Sequence, residues 1–217
     1  MGCSAILETD QTRMTSRSTD CLIVGAGPAG LLAAVYLARF RRSVVLIDSG
    51  QSRCSLIPRS NNVPGFEVGV SGADLLERMR EQVKHYAVTI IDDEVQRVDR
   101  SDAGFIAWLP GRSLHASRVI LATGIVDSHP QLEGWREALE RGDLRYCPIC
   151  DGFEAIDRSI AVIGSPPGVT RKALFLRTYS AEVTAFITGP DEAWSTADKS
   201  NSAITASLSA KVPSCAC

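Results

Sequence analysis

The 217-residue sequence lacks a long hydrophobic run and has no excess of charge of either sign. No apolar stretch approaches the roughly 18 residues that a membrane-spanning helix needs. The 23 Lys and Arg residues nearly balance the 25 Asp and Glu residues, which leaves a formal net charge of -2. Nucleic acids and anionic membranes are bound through a basic field, and this chain has none. The sequence therefore predicts a globular protein that binds neither.

The first twenty residues lack the apolar core of roughly 7–15 residues that a secretory signal contains. We therefore expect no export and a cytoplasmic location. The seven cysteines are an odd number, and a framework of structural disulfides is not expected in a chain without an export signal. A reactive or metal-binding pair of thiols is the better interpretation of these cysteines.

A strand, a glycine-rich turn, a helix and a second strand follow one another between residues 21 and 48. The turn, Gly25-Ala26-Gly27-Pro28-Ala29-Gly30, satisfies the G-x-G-x-x-G pattern. Its first glycine permits the tight turn, its second lets a pyrophosphate approach the backbone, and its third lets the helix pack on the strand. Asp48 ends the second strand, where a carboxylate bonds the ribose of a dinucleotide. The pattern predicts a dinucleotide site without deciding between FAD and NAD(P).

Beyond this unit, the hydrophobic pattern predicts a helix that begins at Ser71 or Gly72 and then a β-meander. The strands of the meander are expected at residues 88–91, 94–99, 105–109 and 119–122. A second strand–helix–strand unit is predicted between Ser159 and Ile187. The predicted fold class is therefore α/β: a Rossmann-like domain with a parallel sheet plus a β-meander, and a partial second βαβ domain.

The second chemical motif is Cys147-Pro148-Ile149-Cys150. Two thiols three positions apart can form a disulfide, and beside βαβ patterns this spacing is typical of a redox motif. Asp151 could serve as the proton donor or acceptor for a thiol. Two rival interpretations are half of a zinc site, completed by Cys215 and Cys217, and a pair of inert buried thiols. No metal ligand is assigned.

Five motifs follow one another at intervals that resemble those of the low-molecular-weight thioredoxin reductase family. They are GAGPAG, LID with GQSR, NVPGF (Asn62–Phe66), ILATG and CPICDGFE. The resemblance covers about residues 20–190. It implies a homodimer with two dinucleotide-binding domains, the NADPH domain being inserted into the FAD domain. Such proteins pass electrons from NADPH through FAD to a Cys-x-x-Cys disulfide, and then to a thioredoxin-like protein or a small-molecule disulfide.

The resemblance also implies domain limits and residue roles. An FAD-binding domain would cover residues 20–145, and a partial NAD(P)-binding-like domain with the Cys-x-x-Cys motif would cover 146–190. Independently of the resemblance, the polar, aperiodic residues 1–19 predict a disordered lead-in, and the Ser- and Ala-rich residues 191–217 predict a disordered tail. Cys147 and Cys150 would be the redox pair and Asp151 the acid. The residues lining FAD would be Gly25, Gly27, Pro28, Ala29, Gly30, Asp48, Gln51, Asn62, Val95, Ala122, Thr123 and Gly124.

Two departures from the family pattern bear on function. The second glycine-rich turn is replaced by Gly164-Ser165-Pro166-Pro167-Gly168, and proline lacks the N–H group that binds a phosphate. NADPH binding is therefore expected to be weakened, whereas FAD is the expected cofactor. The family's return segment, which completes the FAD domain, has no counterpart, so the sequence resembles a C-terminally truncated relative.

Three functions remain open at this point. The first is an FAD-dependent thiol–disulfide oxidoreductase that moves electrons between FAD and the Cys147–Cys150 pair, and on to a protein or small-molecule disulfide. The second is a flavin dithiol oxidase that passes electrons to oxygen. The third is a non-catalytic remnant or a redox-responsive dinucleotide-binding protein.

Overall fold

The computed structural model describes residues 19–130 and 132–188. The predicted disordered tail and residues 1–18 of the predicted lead-in lie outside the described residues. Thr19, the last residue of the predicted lead-in, begins a strand instead. No helix in the described part of the chain is long and apolar enough to cross a membrane.

The chain forms two compact units. Among the described residues, the first contains 19–57 together with 71–126, and the second contains 58–70, 127–130 and 132–188. The segment 58–70 thus belongs with the second unit, although first-unit residues flank it on both sides. The predicted division at residue 145 into an FAD-binding domain and a second domain stays a prediction.

The first unit is built on one six-stranded sheet. Its elements are β1 (Thr19–Val24), α1 (Pro28–Arg39), β2 (Val44–Asp48), α2 (Gly72–Lys84), β3 (Val88–Asp92), β4 (Arg97–Ser101), β5 (Gly104–Leu109) and β6 (Arg112–Leu121). The strand order is β3-β2-β1-β6-β5-β4. The pairs β3–β2, β2–β1 and β1–β6 are parallel, and the pairs β6–β5 and β5–β4 are antiparallel. A parallel βαβ half and a β-meander therefore share one sheet, as the sequence predicts.

The core of the first unit lies on both faces of β1 and β2, because side chains alternate across a strand. Ile23 and Leu46 pack in a cluster with buried residues of both helices, such as Leu31 of α1. Leu22 and Ile47 point the other way and pack with residues of β5 and β6. Burial on both faces explains why these two strands are almost continuously apolar.

β6 joins the two halves of the sheet and is longer than expected. Ala116 pairs with Phe105 of β5 in the antiparallel half and with Thr19 of β1 in the parallel half. The sequence predicts only its last residues, because the first part of β6 is largely polar. The prediction for β4 is displaced by a few residues, since the strand runs over Arg97–Ser101 rather than 94–99.

The second unit contains two short helices and a strand–helix–strand unit. Its elements are α3 (Trp135–Arg141), α4 (Pro148–Asp151), β7 (Ile160–Gly164), α5 (Gly168–Leu176) and β8 (Val183–Ile187). β7 and β8 pair in parallel with Ile160 opposite Val183. One face of α5 covers the two strands, and their buried contacts include Val162, Ala173 and Ala185. The predicted second βαβ unit is therefore present, and the α/β fold class is confirmed.

Candidate dinucleotide and disulfide sites

The glycine-rich turn packs without spare space against the end of β6. Gly25 has φ +99°, and a Cβ atom on it would overlap the Ala122 carbonyl oxygen and lie 2.9 Å from its carbon. A Cβ atom on Gly30 would overlap the Gly25 carbonyl oxygen. These contacts place the start of α1 directly against the turn, which is the close approach that the first and third glycines of the pattern allow.

The N-terminus of α1 is open to a ligand. Gly27 is its N-cap and offers no side-chain cap, and Pro28 is the first helical residue. The first bond along the helix runs from the Leu31 N–H to the Gly27 carbonyl at 3.0 Å. The N–H groups that precede this bond have no partner within the helix, and the helix dipole adds a partial positive charge there. An anionic group such as a pyrophosphate suits this position.

Asp48 lies beside the turn, and protein groups already engage both of its oxygens. Its Oδ1 accepts the Ala26 N–H at 3.1 Å, and its Oδ2 forms an ion pair with Arg80 of α2. The Asp48 side chain is only 5% exposed. The sequence predicts a carboxylate here but misses Arg80, because a basic residue on an amphipathic helix carries no signal of a buried partner.

The other predicted cofactor residues of the first unit are distributed around this turn and the nearby strand ends. The Ala122 N–H donates to the Val24 carbonyl at 2.8 Å, so Ala122 continues the pairing of β1 and β6. Val95 packs, partly buried, in the cluster of β5 and β6. The remaining five occupy exposed or partly exposed positions. Two lie at the start of α1, Pro28 and Ala29, and three lie in loops, Gln51, Thr123 and Gly124.

Ser52 is a neighbour of the turn that the sequence does not single out. Its hydroxyl oxygen lies 3.3 Å from the position of a Cβ atom on Gly27. The same oxygen accepts the Cys54 N–H at 3.3 Å and caps a short helical turn. The Ser52 hydroxyl group therefore lies close to where a phosphate would approach Gly27.

The second unit contains the cysteine pair, which forms a disulfide. The Cα atoms of Cys147 and Cys150 are 5.3 Å apart. Cys147 is the N-cap of α4, and its Sγ accepts the Cys150 N–H at 3.2 Å. Both cysteines are half-buried, and Ile149 between them is 76% exposed. A half-exposed disulfide does not fit the interpretation of two inert buried thiols.

The other cysteines of the described residues differ from this pair. Cys21 and Cys54 are free and buried, and burial raises the pKa of each thiol. A raised pKa lowers the thiolate fraction on which disulfide chemistry depends. Within residues 19–130 and 132–188, no group of three or more potential ligands is placed to hold a metal ion. Cys215 and Cys217, the partners in the zinc interpretation, lie outside these ranges.

Asp151 is the last residue of α4, and Gly152 follows it. The Asp151 N–H donates to the Cys147 carbonyl at 3.1 Å, so Asp151 is held in the same turn as the disulfide. A Cβ atom on Gly152 would lie 2.6 Å from Cε2 of Tyr179 and 2.7 Å from the Pro148 carbonyl oxygen. The disulfide turn therefore rests directly on the Tyr179 ring.

The contact between Gly152 and the Tyr179 ring can be tested by substitution. Gly152→Ala is expected to lower the free energy of unfolding by about 1–3 kcal/mol, because the added methyl group must displace the Tyr179 ring. The measurement is the urea unfolding midpoint. Gly168→Ala is the matched control, since nothing lies within 4 Å of a Cβ atom there. Equal effects of the two substitutions would contradict this account of the Gly152 contact.

Two further contacts of the second unit fix the chain near the disulfide. His129 stacks on Trp135 with ring centroids 4.0 Å apart, and its Nδ1 lies 2.5 Å from the Tyr146 hydroxyl, one residue before Cys147. The sequence assigns His129 no role. The Asn61 side chain donates to Glu154 at 2.8 Å and so connects segment 58–70 to the residues that follow α4.

Asn62, the remaining predicted FAD residue, lies in this same segment of the second unit. Its Oδ1 accepts the Ser60 hydroxyl at 2.8 Å. Ser60 and Val70 form an isolated antiparallel bridge that closes the segment. The local structure of Asn62 is therefore set within segment 58–70.

The second glycine-rich turn, residues 164–168, also connects a strand to a helix, but it differs from the first turn in its hydrogen-bond donors. The Val169 N–H bonds to the Ser165 carbonyl at 3.1 Å, and Pro167 is the N-cap of α5 without a side-chain cap. Pro166 and Pro167 have no N–H to donate. The Oγ1 of Thr170 is buried and has no hydrogen-bond partner among the described residues. A pyrophosphate would find fewer donors here than at α1.

A glycine-rich turn of the dinucleotide-binding pattern and a Cys-x-x-Cys disulfide in one chain are together typical of one class of protein, the disulfide oxidoreductases that use dinucleotide cofactors. A family model described as pyridine nucleotide-disulphide oxidoreductase matches residues 19–211. The chain belongs to this family, as the motif order predicts.

Similar proteins agree with this assignment. The chain is 34% identical to the thioredoxin reductase of Rickettsia typhi over 170 residues. This aligned region covers 77% of this chain and 54% of that protein. The thioredoxin reductase of Aquifex aeolicus is 31% identical over 173 residues, covering 78% and 53% respectively. The chain therefore spans about half the length of these curated relatives. The predicted resemblance to thioredoxin reductases is confirmed.

Solved structures show the same likeness at the level of the fold. The thioredoxin reductase of Streptococcus pyogenes has a TM-score of 0.72 at 29% identity, over 79% of this chain and 56% of that one. The protein HlmI has a TM-score of 0.71 at 36% identity, over 84% of this chain and 57% of that one.

Proposed function

We propose that this chain acts as an FAD-dependent thiol–disulfide oxidoreductase similar to thioredoxin reductase. Electrons would move between FAD and the Cys147–Cys150 pair, and then to a thioredoxin-like protein or a small-molecule disulfide. The disulfide formed by Cys147 and Cys150 is the single observation that carries the proposal. The family assignment supports it, and so does the likeness to thioredoxin reductases. The proposal extends to a cytoplasmic homodimer.

The residues of the first unit fit an FAD molecule. The uncapped start of α1 would hold the pyrophosphate, with Gly27 allowing its approach and the Ser52 hydroxyl nearby. The Asp48 carboxylate would accept a hydrogen bond from the ribose. The other first-unit residues proposed to line the cofactor are Gly25, Pro28, Ala29, Gly30, Gln51, Val95, Ala122, Thr123 and Gly124. Asn62, in segment 58–70 of the second unit, is proposed on the family resemblance alone. When bound, FAD supplies a two-electron carrier for the dithiol.

The cysteine pair would carry out the exchange with the partner. Reduction of the disulfide takes two electrons and two protons and yields two thiols. One thiolate then attacks a sulfur of the partner disulfide, forming a mixed disulfide and releasing one partner thiolate. The second cysteine attacks the mixed disulfide, which restores the Cys147–Cys150 bond and releases the second partner thiolate.

Two neighbouring groups would assist this exchange. The Cys150 N–H that now donates to the Cys147 Sγ would stabilise negative charge on that sulfur. Asp151, in the same turn, would take up or deliver the proton of a thiol.

The exposed residue between the two cysteines, Ile149, would lie against the partner.

The test of this function is an absorbance spectrum of the purified full chain, repeated after anaerobic addition of dithiothreitol. We expect flavin bands near the usual ~370 and ~450 nm that bleach with the dithiol, because the Cys147–Cys150 pair relays its electrons. A protein that stays colourless after FAD is added would overturn the proposal and leave a non-catalytic relative. Flavin bands that dithiothreitol does not bleach would also contradict it.

The same sample tests which molecule exchanges electrons with the flavin, NADPH or oxygen. The two prolines of the 164–168 turn remove donors that a nicotinamide dinucleotide would use, which favours the dithiol oxidase as a second candidate. NADPH that bleaches the flavin as fast as dithiothreitol would identify a reductase. Slow bleaching by NADPH with rapid dithiol-dependent oxygen uptake would identify the oxidase.

A further inference from the structure

The ion pair between Asp48 and Arg80 lies at the place where the proposed cofactor's adenosine ribose would bind. We infer that Arg80 is a positioning residue for ribose recognition: it holds the Asp48 carboxylate in the orientation in which that group can bind a ribose 2′-hydroxyl. The inference rests on the proposed FAD site of the first unit. It concerns a residue on α2, far in sequence from the glycine-rich turn.

The carboxylate is held at both oxygens. Oδ1 accepts the Ala26 N–H at 3.1 Å, and the Ala26 residue is fully buried within the glycine-rich turn. Oδ2 is paired with the Arg80 guanidinium. Each ionised carboxylate oxygen has two lone pairs, so these bonds leave acceptor positions for a sugar hydroxyl while fixing the direction in which they point.

Burial makes the partner necessary. The Asp48 side chain is 5% exposed and that of Arg80 is 30% exposed, so the pair lies at the edge of the buried region. A carboxylate at this depth without a cation would turn toward water, because an unpaired buried charge is strongly unfavourable. Turning would withdraw Oδ1 from Ala26 and the remaining lone pairs from the ribose position. Arg80 thus acts through Asp48 on both the turn and the ligand.

The inference is tested without ligand by hydrogen exchange of the Ala26 amide in the full chain after bound flavin has been removed. Arg80→Met is expected to raise its exchange rate about tenfold relative to the Ala122 amide, which bonds to the Val24 carbonyl and does not depend on Asp48. Equal acceleration of both amides would indicate general destabilisation and overturn the inference.

The ligand arm compares ADP with 2′-deoxy-ADP by calorimetry, on the full chain from which bound flavin has been removed. The native chain is expected to prefer ADP about tenfold, since only ADP offers the 2′-hydroxyl to Asp48. Arg80→Met should reduce that preference to near one. Lys84→Met is the matched control, because Lys84 pairs with Glu81 on the exposed face of the same helix. An unchanged preference in Arg80→Met, or none in the native chain, would overturn the inference.

A conservative variant keeps the test decisive if Arg80→Met does not fold. Arg80→Lys retains the charge but loses the planar fork that fits a carboxylate, so we expect an intermediate preference for ADP. An Arg80→Lys chain that matches the native preference would overturn the inference. The result is separable from the proposed function, because ADP binding requires neither the disulfide nor flavin reduction. A chain whose flavin bleaches normally can still fail the ribose test.

Discussion

Cys150→Ser is expected to leave flavin binding intact and to slow dithiol-driven bleaching of the flavin by about 10³-fold or more. Thiol–disulfide exchange with a dithiol needs a disulfide in the protein, and a serine hydroxyl cannot form one. The other free thiols of the described residues, Cys21 and Cys54, are buried, and burial raises their pKa values, so neither can replace the lost sulfur. The measurement is anaerobic stopped-flow absorbance near ~450 nm after mixing with dithiothreitol.

The variant separates chemistry from structure. The bond from the Cys150 N–H to the Cys147 Sγ is made by the backbone at position 150, so the cap of α4 survives the substitution. Cys54→Ser is the matched control: it removes a thiol that donates weakly to the Gly72 carbonyl at 3.6 Å, a bond that a serine hydroxyl can also make. Bleaching should then proceed at the native rate. Native-rate bleaching in Cys150→Ser would show that the disulfide is not the electron relay.

The parallel half of the sheet is predictable because its determinants are local. β1 and β2 are apolar runs that end in a glycine turn and in Asp48, and the spacing between them fits one helix. The cysteine pair is equally local, since four consecutive residues contain both the disulfide and the cap of the helix that carries it. Patterns of this kind are formed by residues close together in the sequence, so no knowledge of tertiary contacts is needed to recognise them.

Features that depend on distant contacts are predicted less well. The first part of β6 is polar, and it is a strand because it pairs with β5; β6 pairs with β1 only from Ala116 onward. The Arg80–Asp48 pair joins residues 32 positions apart, and the stacked His129 and Trp135 acquire their relation from the folded second unit. Segment 58–70 illustrates the same limit, because its place in the second unit is a property of the fold alone.

Gly25→Ala is expected to lower the free energy of unfolding by about 3 kcal/mol or more and to abolish FAD binding. Two effects combine. The residue has φ +99°, which is unfavourable for a residue with a side chain, and its Cβ atom would overlap the Ala122 carbonyl oxygen. The carbonyl oxygen and carbon of Ala122 both belong to the backbone just after β6, so no side-chain rotation can relieve the overlap. The measurements are the urea midpoint of the apoprotein and the flavin absorbance after reconstitution.

Gly50→Ala separates these two effects because Gly50 shares only one of them. Its φ is +76°, but nothing lies within 4 Å of a Cβ atom there. The backbone strain alone should cost about 1–2 kcal/mol. The amount by which Gly25→Ala lowers the free energy of unfolding more than Gly50→Ala therefore measures the close approach of the turn to β6. The flavin bands should be lost only in Gly25→Ala. A displaced turn could no longer present the start of α1 to a pyrophosphate, which is why Gly25→Ala should lose FAD. If the two substitutions were equally destabilising and both chains still bound FAD, the fit between the turn and β6 would not be what shapes the cofactor site.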